Sequence, residues 1–219
     1  MRLITFGCSY TQGIGLDGLD HSAHQYYTNP SEAVLKIKSA SNDAWPHLLA
    51  DKLNLECVNL GRGGSSPKFV FQMIREFQFN NDDIVIVQWP NPDRNVIWED
   101  RLDSDQNYFI TIYDELCPMY EEQTEYYKNY HTLFDARYNN AMYIENTHAY
   151  LKDKCKELYS ISDNPEMSRN KLLMSTFSIL SEVEEFFKEG SQDDMCSDGH
   201  PGKSYHENFT NRMWEKIKS

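Results

Sequence analysis

Residues 82–89, Asp-Asp-Ile-Val-Ile-Val-Gln-Trp, lead from two carboxylates into a run of β-branched and aromatic side chains. The run is apolar on both faces, which is typical of a central strand in a parallel sheet, because helices cover both faces of such a sheet. Two shorter apolar runs, residues 3–6 and 56–60, each end at a glycine and predict two more strands. The three runs together predict the centre of one sheet.

Helix signals lie between these strands. Asn42 or Asp43 can cap a helix that has Pro46 in its first turn, where the missing N–H costs nothing. Ser66 followed by Pro67 gives the next helix a cap and a proline at its first position. Strand, helix, strand, helix and strand at this spacing predict an α/β fold, a parallel sheet with helices on both sides.

The middle of the chain has a different composition. Residues 98–160 contain ten of the fourteen tyrosines, many acidic side chains and two predicted helices, at residues 121–138 and 141–159. No linker-like stretch isolates this region, so we expect a helical insertion or lid within a single domain that spans residues 1–219. Six of its tyrosines could stack on sugar rings, although aromatic residues at helical spacing more often pack in a core; they are Tyr108, Tyr113, Tyr120, Tyr126, Tyr127 and Tyr130.

Composition excludes several classes of partner. Among 219 residues, 34 are acidic and 21 basic, for a net charge of −13. This balance argues against binding to nucleic acid, which depends on lysine and arginine, and against an anionic membrane surface. No apolar run approaches the roughly 18 residues of a spanning helix, and no signal peptide is predicted. The five cysteines are odd in number and form no CxxC pair, so we expect a cytoplasmic protein without a disulfide framework.

Two segments at opposite ends of the chain carry candidate catalytic side chains. Ser9 follows the glycine that ends the first strand, a position where a serine either caps a helix or exposes a hydroxyl at the carboxyl edge of the sheet. Asp198 and His200 lie in a loop before a last helix, which is predicted from near Gly202. An aspartate can orient a histidine so that its far nitrogen acts as a base. Together the two segments predict a Ser-His-Asp arrangement.

A third segment could stabilise negative charge. Residues 59–66 contain three glycines at the end of the second strand, and glycines let backbone N–H groups approach a bound oxyanion closely. A tight turn before a helix explains the same glycines. Residues 13–18 match G-x-G-x-x-G, but they do not join a strand directly to a helix, so no dinucleotide site is predicted. His21 and His24 lack further ligands, and neither a metal nor a cofactor is expected.

The three segments resemble the SGNH (GDSL-like) hydrolase family. That family has a serine in a turn after the first strand, a glycine after the second, an asparagine after the third and an Asp/His pair near the C-terminus. Residues 7–11, 59–64 and 198–201 match the first, second and last of these blocks, and residues 44–49 are similar to the family's first helix. The resemblance covers roughly residues 2–94 and 190–217.

The chain departs from the family pattern at two of these blocks. The acid that usually precedes the serine is Cys8, which places a second nucleophile beside Ser9. The usual spacing is Asp-x-x-His, whereas Asp198 stands two residues before His200, with Asp194 as the alternative acid.

The third block also departs from the family. Its Gly-x-Asn-Asp is replaced by Gln-Trp-Pro-Asn-Pro-Asp-Arg at residues 88–94, in which Asn91 is the residue that can supply a side-chain amide. Arg94 follows, and either meets an anionic group of the substrate or pairs with a nearby carboxylate.

The resemblance implies a flavodoxin-like three-layer α/β/α sandwich and a cofactor-free serine esterase. Ser9 would be the nucleophile, His200 the base and Asp198 its orienting acid, with the backbone N–H groups of Ser9 and Gly64 and the amide of Asn91 in the oxyanion hole. The expected substrate is a small acyl ester, such as an acetyl ester, of a carbohydrate or small molecule. A thioesterase or short-chain lipase would use the same residues, and a catalytically inactive binding or structural module is the alternative from another class.

Overall fold

The computed structural model describes residues 1–16, 40–99, 108–112, 128–162, 170–185, 195–196 and 199–219. Within these ranges the strands are β1 (Arg2–Gly7), β2 (Glu56–Gly61), β3 (Ile84–Trp89), β4 (Asn95–Glu99), β5 (Tyr108–Ile112), β6 (Glu157–Ser162) and β7 (Glu184–Glu185). The helices are α1 (Ser9–Gln12), α2 (Trp45–Leu53), α3 (Pro67–Glu76), α4 (Leu133–Leu151), α5 (Lys171–Thr176) and α6 (Lys203–Lys218), with a 3₁₀ helix at Ser178–Glu182.

In the described residues, five strands form one parallel sheet in the order β2-β1-β3-β6-β7. The strand order reverses at β1, as it does in flavodoxin-like folds. β4 and β5 form a separate antiparallel pair. The fold is α/β as expected, and all six residues of β3 are buried, as its apolar run predicts.

Alternate residues of the strands pack into two cores, one on each face of the sheet. On one face, Leu3 and Ile86 pack with Trp45 of α2 and Phe209 of α6. On the other face, Ile4, Phe6 and Val87 pack against α3 and α4, together with α5 and the 3₁₀ helix. Helices therefore cover both faces, which makes the three layers of the expected sandwich. None of the helices in the described ranges is long and apolar enough to cross a membrane.

Two helix starts differ in how they are capped. Ser66 caps α3 by accepting a hydrogen bond from the Phe69 N–H, as its sequence predicts. At α2 the N-cap residue is Ala44, which has no side-chain acceptor, in place of Asn42 or Asp43. The Trp45 N–H instead donates to Nδ1 of His206, a fully buried residue of α6, at 3.0 Å. His206 thus satisfies a first-turn N–H group of a helix far away in sequence.

The region 98–160 differs from its predicted helices. The prediction of a helix at 141–159 is wrong at its end, because α4 stops at Leu151 and residues 157–162 pair with β3 as strand β6. The alternation of β6 across the sheet overrides its helical pattern, since pairing with a central strand decides the structure of such a segment. Ala141 and Ile144 of α4 are fully buried on the sheet. The helix predicted at 121–138 lies partly outside the described residues, and within them it is interrupted, because α4 begins at Leu133 with Thr132 as its N-cap. The insertion or lid stays a prediction.

His148 of α4 is a half-buried titratable group at the edge of this core. Its Nε2 lies 2.8 Å from Oγ of Ser160, which also accepts a hydrogen bond from Nε1 of Trp89 at 3.2 Å. Burial lowers the pKa of His148 below its ordinary value, while the nearby Glu182 carboxylate opposes this shift. In the pH range between the two pKa values, His148 is therefore neutral in the folded protein and protonated in the unfolded chain.

We expect this histidine to make the protein less stable in mild acid. The unfolded chain has a His148 pKa of about 6.5, and the folded-state pKa is lower. The free energy of unfolding is therefore unaffected above about pH 6.5 and decreases as the pH falls from that value toward the folded-state pKa. Thermal unfolding from pH 7.5 to 5.5 should therefore show a smaller loss of Tm for His148→Gln than for the native protein. His47, whose pKa burial also lowers, supplies part of the remaining slope. Parallel Tm curves would contradict the prediction.

Candidate active site

Ser9 lies at the carboxyl end of β1, where it begins a single turn of helix. Cys8 is the N-cap of α1, and the turn ends at Gly13, whose φ of 79° is left-handed. Ser9 is buried, with 5% of its surface exposed. As the first residue of the helix it has no carbonyl four residues back within the helix to accept its N–H. The hydroxyl and the N–H of Ser9 therefore belong to one tight turn at the sheet edge.

This turn packs so closely on the sheet that two neighbouring positions must be glycine. A Cβ on Gly61 would lie 2.5 Å from the backbone nitrogen of Gln12, and a Cβ on Gly7 would lie 2.0 Å from Oγ1 of Thr11. Real side chains do not approach at such distances, so any larger residue would push α1 away from β1 and β2. These glycines set the position of Ser9.

Hydrogen bonds join the turn to the loop after β2. The Asn59 amide donates to the carbonyl of Thr11 at 2.8 Å, and its oxygen accepts the Gly61 N–H at 2.9 Å. Gln12 Oε1 accepts the Gly63 N–H at 2.7 Å. A Cβ built on Gly63 would lie 3.9 Å from Cβ of Ser9. The structure thus brings Ser9 and the glycine loop together.

Gly64 is the next residue of this loop, and its φ of 76° is left-handed. Because the Gly63 N–H already donates to Gln12, the N–H of Gly64 is the better candidate for a donor toward a bound oxyanion. Its role stays a prediction.

His200 reaches the same edge of the sheet from the other end of the chain. Met195 pairs with Pro201, and the Cys196 N–H donates to the His200 carbonyl at 2.9 Å. The His200 ring meets the Tyr10 ring edge-on, with 6.1 Å between ring centroids. His200 therefore lies beside the residue that follows Ser9. Asp198, its predicted partner, lies outside the described residues, as does Asp194.

Sequence reasoning missed Gln88, a buried residue of β3 that links the elements of the site. Its Oε1 accepts hydrogen bonds from Oγ1 of Thr11 at 2.7 Å and from Nε1 of Trp45 at 3.1 Å, and its Nε2 donates to the Tyr205 hydroxyl at 3.0 Å. Tyr205 in turn packs on Tyr10, with 5.9 Å between ring centroids. One amide thus holds α1, α2 and α6 in register. The only sequence signal was a polar residue within an otherwise apolar strand.

Asn91 lies two residues beyond β3 and is exposed. Its side-chain oxygen accepts the Asp93 N–H at 3.1 Å, and its carbonyl accepts the Arg94 N–H at 3.1 Å, so it stabilises its own turn. The hydrogen bond from the Asp93 N–H uses the side-chain oxygen of Asn91, so the amide nitrogen is the group that can donate to a ligand. No hydrogen bond in the described residues joins Asn91 to Ser9, and its place in an oxyanion hole stays a prediction.

The structure describes some of the remaining candidate metal ligands, cysteines and tyrosines. Within the described ranges, no cluster of three or more histidine, cysteine or acidic side chains could hold a metal ion. No disulfide joins any two of the four described cysteines, which are Cys8, Cys57, Cys155 and Cys196. His21 and His24 lie outside the described residues. So do four of the six tyrosines that could stack on a sugar or pack in a core, namely Tyr113, Tyr120, Tyr126 and Tyr127.

Comparison with solved structures identifies the fold. An acetyl xylan esterase from the rumen bacterium Butyrivibrio proteoclasticus superposes with a TM-score of 0.59 at 11% identity, over 99% of this chain and 63% of its own. A lipolytic protein of the G-D-S-L family from Veillonella parvula has a TM-score of 0.50 at 10% identity, over 98% and 97%. The fold is that of the SGNH hydrolases. The serine turn after β1 thus lies on the fold of the family that the sequence resembles.

A third SGNH-fold structure is a family two carbohydrate esterase from Clostridium thermocellum in complex with cellohexaose. It superposes with a TM-score of 0.53 at 10% identity, over 99% of this chain and 63% of its own. The chain therefore spans less than two thirds of the length of both carbohydrate esterases. No protein-family model and no curated protein sequence matches it. At these identities the likeness extends to the fold alone.

Proposed function

We propose that the protein is a serine esterase that hydrolyses a small acyl ester, such as an acetyl ester, of a carbohydrate or small molecule. The observation that carries this proposal is the meeting of two distant segments at one sheet edge. Ser9 begins the helical turn after β1, and the His200 ring contacts Tyr10, the next residue of that turn. A serine and a histidine supplied by two such segments can form the nucleophile and base of a hydrolytic triad.

In the proposed reaction, the Ser9 hydroxyl attacks the ester carbonyl while His200 takes its proton. The bond between the carbonyl carbon and the alcohol oxygen then breaks, and His200 returns the proton to the departing alcohol. Water attacks the acyl-serine in the second half of the reaction, which releases the acid and restores Ser9. Asp198 would hold the tautomer of His200 and stabilise its protonated form.

The proposed oxyanion hole has three donors. Ser9 supplies the N–H of a first helical residue, and Gly64 supplies the N–H of a loop that hydrogen bonds attach to α1. Asn91 would add its side-chain amide. Donors of this kind each contribute about 10²–10³-fold to turnover when they point at the position of the developing charge.

A carbohydrate ester is the proposed substrate class because of the structural relatives. Two of them are carbohydrate esterases, and one of these was solved with cellohexaose. The proposal makes no use of a cofactor, and we expect the reaction to take place in the cytoplasm.

Labelling with a fluorophosphonate tests the proposal. An activated serine forms an oxygen–phosphorus bond to such a probe and releases fluoride, so we expect mass spectrometry to find one adduct, on Ser9. His200→Ala should react at least about 10²-fold more slowly, since a general base contributes about 10²–10⁴-fold. His47→Ala removes a histidine of α2 that belongs to no part of the site, and it should label like the native protein. An unlabelled native protein, or an adduct on another residue, would contradict the assignment.

A binding module is the second candidate function, and the third block favours it. Asn91 is exposed and its amide oxygen is engaged in its own turn, while the usual Gly-x-Asn-Asp is absent from residues 88–94. A protein of this kind would bind a ligand with equal affinity in the native and Ser9→Ala forms and would show no hydrolysis. An esterase would differ from a binding module, because the native protein would hydrolyse the ester and Ser9→Ala would not.

A further inference from the structure

A cavity of about 220 Å³ lies among α3, the loop after β3 and the start of α4. It is smaller than the pockets of about 300–1,000 Å³ that enclose drug-sized ligands, so it suits a single ring or a small charged group. The residues that carry the argument below are Lys68, Arg94, Asn95, Tyr130, Asp135 and Asn139.

Two residues that line the cavity lie close in sequence to the two loops of the proposed oxyanion hole. Lys68 follows Gly64 by four residues, and Arg94 follows Asn91 by three. Both lie just beyond the carboxyl ends of β2 and β3, which flank β1 and its serine turn. A group held in this cavity could therefore belong to the molecule whose ester is at Ser9.

The charge of the lining is opposite to that of the chain. Acidic side chains outnumber basic ones by 34 to 21 overall, whereas the cavity is lined by Lys68 and Arg94 and by one acidic residue, Asp135. The first turn of α3, a ten-residue helix, also lies at the cavity, and the positive end of its dipole adds to the two cations. A negatively charged group is thus attracted here against the charge of the whole protein.

The remaining lining suits hydroxyl groups. Asn95 and Asn139 present side-chain amides, and Asp135 presents a carboxylate that can accept from a hydroxyl. Tyr130 lines the cavity with a ring that is 74% exposed, a flat surface on which a sugar ring can pack. Two cations, two amides and an aromatic ring around one cavity match a sugar that bears a charge.

We propose that this cavity binds an anionic sugar, a ring that carries a carboxylate or a phosphate, with Arg94 and Lys68 on its charged group. As the assignment of a substrate class, the inference rests on the proposed function. As a statement about binding, it is independent of hydrolysis, because a sugar that contains no acyl ester occupies the same cavity.

Calorimetric titration of the full chain with D-glucuronate, D-glucose 1-phosphate and D-glucose tests this inference. We expect at least one anionic sugar to bind at least about tenfold more tightly than glucose, and the tighter of the two identifies the charged group. Arg94→Gln and Lys68→Gln should each weaken that binding about tenfold or more, as loss of a charge-assisted hydrogen bond does. Arg75→Gln is the matched control, since Arg75 lies at the other end of α3 over the Tyr150 ring, and it should bind like the native protein.

Equal binding of glucose and the anionic sugars, unchanged binding in both cavity variants, or no binding of any probe would each overturn the inference. Two variants are used because Arg94 is half-buried, and loss of its side chain could disturb the loop after β3. The probes contain no acyl ester, the bond that the proposed esterase cleaves, so the two proposals fail separately. Hydrolysis of p-nitrophenyl acetate without sugar binding contradicts the cavity alone, and sugar binding without hydrolysis contradicts the esterase alone.

Discussion

Replacement of Ser9 by alanine is expected to lower kcat/KM for p-nitrophenyl acetate by at least about 10⁴-fold. Ser9 supplies the oxygen that forms the covalent intermediate, and no water in its place would be activated and aligned in the same way. The substitution removes one oxygen atom and leaves the backbone turn of α1 intact, so the protein should keep its Tm. Steady-state hydrolysis and thermal unfolding of both proteins provide the measurement.

Cys8→Ala is the matched control for this substitution. Cys8 is buried to the same extent as Ser9, with 5% of its surface exposed, and its thiol is the other nucleophile in the turn. We expect Cys8→Ala to keep activity within about tenfold of the native protein, because the proposed reaction does not use the thiol. Activity that is lost in Cys8→Ala and kept in Ser9→Ala would move the nucleophile to the thiol. Hydrolysis at the buffer level in all three proteins would contradict the esterase proposal for this ester.

Gln88→Met is expected to destabilise the protein by about 3 kcal/mol. Methionine has a similar size, but it removes the acceptor of the Thr11 hydroxyl and of the Trp45 indole N–H, both of which are buried. Each buried donor left without an acceptor costs about 1–3 kcal/mol. For a chain of this length, the change corresponds to a Tm lower by about 6–12 °C. Urea unfolding and calorimetry measure it.

Gln72→Met is the control for this prediction. Gln72 is a glutamine of α3 whose amide donates to the Glu76 carboxylate in an exposed hydrogen bond. Its replacement should change stability by less than about 0.5 kcal/mol, as is usual for surface positions. Equal stability of the two variants would mean that the hydrogen bonds of Gln88 do not hold α1, α2 and α6 together.

Much of the fold could be predicted because its signals are local. The strands at residues 3–6, 56–60 and 84–89 follow from apolar runs that end at glycine or proline, and Ser66 with Pro67 predicts the start of α3. Strand β6, which begins within the region 98–160, was missed because this segment becomes a strand only by pairing with β3. A helical pattern of tyrosines and acidic residues could not reveal that partner.

The candidate site also contains residues that local sequence predicts and residues that it does not. Ser9 and the glycine loop could be predicted, because each follows the end of a recognisable strand. Gln88 could not, because its partners Thr11, Trp45 and Tyr205 are 77, 43 and 117 residues away and give no local signal. His206 likewise has the appearance of a helix-surface residue until its contact with Trp45, 161 residues distant, is known.

The amino-acid sequence by itself determined the strands at the sheet centre, the glycines beside the serine turn and the excess of negative charge. Each of these depends on neighbouring residues or on composition, so no knowledge of the folded chain is needed. Only the tertiary structure decided which polar side chains meet: Gln88 with three other elements, His200 with the turn of Ser9, and Lys68 with Arg94 around one cavity. The order of strands in the sheet and the helices that cross between them set those distances, and a contact between distant residues exists only once the layers have packed.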